Sequence, residues 1–204
     1  MQMETNFAYI DENYKRIVDA MEEAKAKYRK PTDEITLMAV TKTVAPEAVN
    51  HAISCGIHTL GENRVQEYLS KKDFYAKDAK VHFIGHLQTN KVKYIIEDME
   101  LIHSVDSIKL ASEIDRHAAR VNKVQDILIE VNVGGEESKS GIAPDHPALK
   151  ECCEFLHVSE GSTEAKRLIA GLGYDFGSKI LCAADYGVPT IRKRWFAVFR
   201  CDGQ

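Results

Sequence analysis

The sequence predicts a (β/α)8 TIM-type barrel, incomplete or altered after its fifth strand-helix unit, and three observations predict it. Apolar runs end near Lys42, Glu62, His86, Asp106 and Asn132, which are 20, 24, 20 and 26 residues apart. That spacing suits one strand, one turn and one helix, repeated with parallel pairing. Each run also ends in side chains able to do polar work: Lys42, Glu62-Asn63, His86 with Gln88, Asp106 and Asn132. Barrels assemble their reactive face from many strand ends in this manner. Finally, the first turn, Thr41-Lys42-Thr43-Val44, contains no glycine. The alternative, a doubly wound dinucleotide fold, concentrates glycines at that turn.

The elements follow in order. Phe7, Ile10, Tyr14, Ile17, Val18 and Met21 recur at helical spacing among acids and lysines, predicting a first amphipathic helix over residues 6–29 that Pro31 stops. The strands are expected at Ile35 to Val40, Ile57 to Leu60, Val81 to Ile84, Leu101 to Val105, and Ile127 to Val133. Between them, Val49, Ala52 and Ile53 give one helical face ended by Gly56. Ile108, Ala111, Ile114 and Ala118 give another. Asn90 and Asp106 are expected as N-caps, because a short acceptor can take a first-turn amide proton.

The 204 residues suffice for one domain with a sizeable core. With 44% hydrophobic and 28% charged residues and a formal net charge of -4, the composition is that of an ordinary soluble globular protein. Nucleic-acid binding is not expected, since the only basic cluster, Arg192-Lys193-Arg194 beside Trp195, reads as a solvated tail. Five cysteines, Cys55, Cys152, Cys153, Cys182 and Cys201, are odd in number and lack paired zinc-type spacing, which suits a reduced cytosol. The N-terminus has no basic start followed by an apolar stretch, so neither a secretory signal nor a membrane span is expected.

Lys42 carries the chemistry. A lysine closing a buried strand opens its ammonium toward the face where parallel sheets bind ligands, while its stem stays among apolar neighbours. To attack an aldehyde it must lose its proton, and partial burial favours that loss. Taken alone, the same segment also reads as a solvated lysine in a strand-to-helix loop.

Four ordered stretches resolve that choice: Leu37-Met38-Ala39-Val40-Thr41-Lys42-Thr43, Gly61-Glu62-Asn63-Arg64-Val65-Gln66-Glu67, His82-Phe83-Ile84-Gly85-His86-Leu87-Gln88-Thr89-Asn90-Lys91, and Ser138-Lys139-Ser140-Gly141. Together they resemble the pyridoxal phosphate homeostasis proteins, also called the alanine racemase N-terminal-domain-like family. The resemblance covers roughly residues 6–156. It implies a barrel that holds pyridoxal 5′-phosphate (PLP) as a Schiff base on Lys42, with Asn63 near the cofactor ring. It places His86 and Lys139 on the pocket wall. Val44 stands where some relatives have a second lysine. The implied function is PLP binding and intracellular PLP homeostasis without strong catalysis, by a cytoplasmic monomer, with PLP-dependent enzymes as recipients. No catalytic residue and no metal are expected. Two alternatives stand beside it: a weak PLP-dependent racemase, and a truncated remnant that no longer holds the cofactor.

The resemblance divides the chain into residues 1–156, a PLP-binding barrel portion, and residues 157–204, a divergent or frame-shifted tail. Relatives carry a Ser-Met-Gly-Met-Ser-like turn and an Arg-x-Gly-x-x-Ile-Phe-Gly-like turn that cradle the cofactor's phosphate, and neither follows Leu156. Gly171 to Gly177 is glycine-rich but in the wrong order. Because the similarity ends abruptly and the strand-helix rhythm stops, a shifted reading frame is preferred over gradual divergence. Strands one and five are then expected to have unpaired edges, with lower stability and weaker cofactor binding.

Three weaker signals are set aside. Gly134-Gly135-Glu136-Glu137-Ser138-Lys139-Ser140 is a poor phosphate loop, since Ser138 replaces a needed glycine and Glu136 and Glu137 repel an anion. His82 and His86 lie four apart on one presumed strand but lack a third metal ligand. Cys152 and Cys153, adjacent on a presumed helix, point apart and have no redox role.

Overall fold

A computed structural model describes residues 7–132, 140–143 and 146–149, and the backbone of 195–201. Its strands follow one another in a single sheet in chain order: β1 (Met38–Val40), β2 (Thr59–Glu62), β3 (Lys80–Phe83), β4 (Met99–Val105), β5 (Gln125–Val131) and β6 (Trp195–Cys201). Five strand positions therefore match the expected runs to within three residues at each end, and the sheet progresses as a (β/α)8-type barrel does. The chain divides into two compact units, Met1–His82 and Phe83–Gln204.

In the first unit, helix α1 (Ala8–Tyr28) ends where expected, before Pro31. It is a surface helix with no fully buried residue, and Ile17 is exposed, while Phe7, Ile10, Tyr14, Val18 and Met21 form a half-buried stripe. Strand β1 pairs with β2 in parallel, Met38 opposite Thr59 and Val40 opposite Gly61. Between them α2 (Pro46–Ser54) starts with proline in its first turn, where the missing N–H costs nothing. It buries Ala48, Val49, Ala52 and Ile53, the face that the periodicity marks. Val49, Ile53 and Leu60 form the core of this unit, with Ala39, Val44, Tyr75, Ala76 and Ala79 packed against them. Gly56 ends α2 at φ +112°, where a Cβ would sit 2.9 Å from the Tyr14 hydroxyl of α1. The positive φ favours glycine there, while the half-buried Tyr14 side chain could shift aside. Helix α3 (Val65–Lys71) follows β2 and runs into a short 3-10 turn, Lys72–Phe74.

In the second unit, β4 and β5 pair in parallel with a bulge between Ile102 and Val105. Helix α4 (Ile108–Arg120) buries Leu110, Ala111, Ile114, His117 and Ala118. The N-cap expectation for Asp106 is corrected. Ser107 caps α4, its hydroxyl accepting from the Leu110 amide at 3.4 Å, while Asp106 accepts from the Ser107 hydroxyl. Ser107 wins because its extended backbone, φ −162° and ψ 153°, aims its oxygen into the first turn. Asn90 is no cap either; it lies inside a 3-10 turn, Thr89–Tyr94, that starts after Gln88. Lys123 ties the loop between α4 and β5 to the sheet by donating to the Ile96 and Met99 carbonyls. Burial pushes its pKa down, against the pull of Asp98, Asp126 and Glu100.

The tail yields one described segment. β6 runs antiparallel to β5 from Val131–Trp195 to Gln125–Cys201, so β5 has no unpaired edge, contrary to expectation. The physical reason is local. Trp195-Phe196-Ala197-Val198-Phe199 is rich in aromatic and β-branched residues and therefore suits an added strand, even though it breaks the parallel strand-helix alternation. The rest of residues 157–204, with the Gly171 to Gly177 fragment, lies outside the described residues, as do Cys152, Cys153 and Gly134 to Lys139.

Candidate functional site

Lys42 sits two residues beyond β1, in the turn that leads toward α2. The register carries Val40 opposite Gly61 and continues with the Thr41 amide donating to the Gly61 carbonyl at 3.1 Å. Thr41 therefore stands at the level of Glu62, and Lys42 at the level of Asn63. These two expected site residues thus emerge from the same end of neighbouring parallel strands. Asn63 is half-buried, whereas Lys42 is exposed, which corrects the expectation that its stem is buried among apolar neighbours. The turn lifts Lys42 away from the core because Thr43 adopts φ 61°. A β-branched residue avoids that region, so the turn must be held from outside.

The holding groups come from β2 and α3. Glu67 Oε1 accepts a short hydrogen bond from the Thr43 amide. The same oxygen accepts from Lys71 Nζ at 2.7 Å, and Lys71 also donates to the Thr41 carbonyl at 3.0 Å and the Val44 carbonyl at 3.3 Å. Lys71 thus grips the turn on both sides of Lys42. Beneath it Glu62, fully buried, accepts from the Thr41 hydroxyl at 2.7 Å and from the Tyr75 hydroxyl at 2.5 Å, with Lys71 Nζ at 3.7 Å. Burial, then the neighbouring Glu62, raise the Tyr75 pKa far above its ordinary value, so Tyr75 stays a donor. Among the described residues Glu62 Oε2 is buried without a hydrogen-bond partner, and the partners seen crowd onto Oε1. The positions of Glu62 and Glu67 lie within a quoted motif, but Lys71 and Tyr75 gave no signal in the sequence. Apart from Glu67, four residues before Lys71, the groups that matter are distant: the carbonyls Lys71 donates to lie 27 and 30 residues away, and Glu62 lies 13 residues from Tyr75, separations that no local pattern reports.

Glu67 has an acid signature. The hydrogen bond from Lys71, then the one from Thr43, hold its carboxyl below the ordinary glutamate range. A depressed folded-state pKa contributes stability that is fully present above about pH 4.5 and disappears as pH falls through the lower folded value. Urea midpoints measured between pH 6 and pH 3 should therefore drop in the acid range, and the drop should be shallower for Glu67→Gln. An equal slope for both proteins excludes Glu67 as a source.

In the second unit, His86 follows β3 and is exposed, with Nδ1 3.6 Å from Asp106 Oδ2 at the end of β4. The shared-strand reading of His82 and His86 is corrected: β3 ends at Phe83, so only His82 belongs to a strand. Lys139 lies outside the described residues. The chain that follows it is anchored, since Ile142 bridges Val131 and its amide donates to the Glu130 carbonyl at 2.8 Å. Gly141 makes this possible. Its φ is +110°, and a Cβ there would meet the Asn132 amide nitrogen at 2.9 Å.

Residues 9–164 match the family described as "Alanine racemase, N-terminal domain". The chain belongs to this family. The alanine racemase N-terminal domain match runs to residue 164, past residue 156, where the motif resemblance ends. Similar proteins include the pyridoxal phosphate homeostasis protein of Aquifex aeolicus, 44% identical over 145 residues that make up 71% of this chain and 63% of that protein. The chain thus spans under two thirds of this relative's length. Among solved structures, an unknown protein from Bifidobacterium adolescentis superposes with TM-score 0.69 at 31% identity, over 77% of this chain and 68% of that one. PipY of Synechococcus elongatus, solved with PLP bound, gives TM-score 0.53 at 28% identity, over 69% and 65%. In the described part of this family member, no helix is long and apolar enough to cross a membrane.

Proposed function

We propose that this chain binds pyridoxal 5′-phosphate covalently through Lys42 and takes part in PLP homeostasis inside the cytoplasm, as a monomer and without strong catalysis of its own. The observation that carries this reading is the clamped turn: Lys71 and Glu67 hold an exposed primary amine beside Asn63 at the C-terminal end of two parallel strands. When bound, the cofactor supplies an aldehyde that condenses with an amine and releases water. Lys42 is the nucleophile for that condensation, and its exposure lets both aldehyde and water reach it. Asn63, with two donors and an acceptor, suits the polar edge of a ring held over the strand ends. His86 and Lys139 are assigned to the pocket wall, where N–H donors suit a phosphate. Residues 1–156 form the binding portion, and residues 157–204 a divergent or frame-shifted tail.

The relatives support this reading, because a homeostasis protein is 44% identical and PipY was solved with PLP. Borohydride reduction of the protein mixed with PLP, followed by peptide mass mapping, tests it. The phosphopyridoxyl group should sit on Lys42 at one equivalent, with unphosphorylated pyridoxal labelling far less. Label spread over surface lysines, or equal labelling by both aldehydes, would mean that the chain holds no such site. Exchange of an amino acid's α-proton with solvent would instead favour a weak racemase.

A further inference from the structure

Helix α1 buries no residue fully, yet it docks on α2. Part of what joins them is polar. Asp11 Oδ1 accepts from His51 Nε2 at 2.8 Å and from Cys55 Sγ at 3.1 Å. The three ligand-type atoms lie within 4.8 Å of one another. His51 and Cys55 are four residues apart, and the Cys55 amide bonds to the His51 carbonyl at 3.1 Å, so helical geometry puts both side chains on one face. Asp11 reaches the same point from a helix about forty residues earlier. The Phe7 ring, 5.1 Å from the His51 ring centroid, packs against the imidazole.

We propose that Asp11, His51 and Cys55 form a site for a divalent metal ion of the zinc class, bridging α1 to α2. The donor set decides the class: thiolate with imidazole selects borderline-soft ions over magnesium or calcium, and one carboxylate is compatible with zinc. Three protein ligands leave a fourth tetrahedral position for water. Zinc bonds of about 2.0–2.3 Å need ligand atoms about 3.3–3.8 Å apart, so the present trio must adjust by roughly an ångström. The two contacts of Asp11 open slightly while the His51 and Cys55 side chains, neither fully buried, rotate toward each other on the face of α2. The ion displaces the Cys55 thiol proton to solvent, and the His51 Nε2 proton, donated to Asp11 in the metal-free state, also leaves to solvent while Nδ1 is protonated from it, so that the Nε2 lone pair faces the metal. The site is separate from Lys42 and its clamp, and it does not depend on PLP.

The two halves of the cluster come from different segments, which explains why cysteine spacing alone did not report it. Cobalt(II) is the probe. Added to the reduced, metal-free full chain, one equivalent should give thiolate-to-cobalt absorbance in the near ultraviolet with visible bands of a tetrahedral site, and zinc should erase them. Cys55→Ser and His51→Gln should each remove the signal, and Asp11→Asn should weaken binding at least tenfold. A variant with Cys152, Cys153, Cys182 and Cys201 all changed to serine should keep it. Zinc should also raise the melting midpoint of the parent chain and not that of His51→Gln. A signal that survives Cys55→Ser, or no signal in the parent chain, overturns the proposal.

Discussion

Lys71→Met should lower unfolding stability by about 3–5 kcal/mol, the usual cost of removing one partner from a buried ion pair. The reason is what remains behind. Glu62 is fully buried and Glu67 only 20% exposed at its side chain, and both lose the cation that faces them. The Thr41 and Val44 carbonyls lose their shared donor as well. Methionine fills much of the lysine stem's volume, so the loss reports charge and hydrogen bonding rather than a cavity. Against a total stability of about 5–15 kcal/mol, this is a large fraction. Chemical denaturation of both proteins measures it, and Lys71→Arg, which keeps the charge, should recover part of the loss. A difference under about 1 kcal/mol would show that the clamp is not what holds the turn. The same variant should slow borohydride trapping at Lys42 even where it is folded, because Thr43 at φ 61° is kept there by these contacts.

Lys42→Ala has the opposite signature: function lost, fold kept. Lys42 is exposed and lies outside the buried core, so stability should change by no more than about 0.5 kcal/mol. Visible-edge absorbance from the cofactor linkage should vanish, and residual PLP affinity should fall at least about tenfold, equivalent to 1.4 kcal/mol. Equilibrium dialysis with parallel absorbance spectra separates the two quantities. Unchanged absorbance would mean that another amine is the anchor, and the reading of the site would move with it.

Much of the fold was legible because its signals are local. Each apolar run that became a strand is short and bounded, and the faces of α2 and α4 follow a 3.6-residue period, so Val49, Ile53, Ala111 and Ile114 could be placed in the core by counting. Capping was less legible. Asp106 and Ser107 are both good caps by type, and only the backbone angles at Ser107 choose between them. β6 is illegible for a related reason: an antiparallel strand far along the chain does not continue the parallel strand-helix period of the first five strands. In the site, Lys42 and Asn63 could be named from their motifs, while the exposure of Lys42 could not, since it depends on a left-handed Thr43.

Sequence alone settled the order of the first five strands, the family, and which amine stands at the end of the first strand, because each is written in residue type and short-range spacing. Tertiary structure decided what surrounds that amine. Lys71, Glu67, Glu62 and Tyr75 converge on one turn, and Asp11 meets His51 and Cys55, only after folding brings distant backbone within a few ångströms. Electrostatics and hydrogen bonding act over those few ångströms, so their partners cannot be counted along a chain.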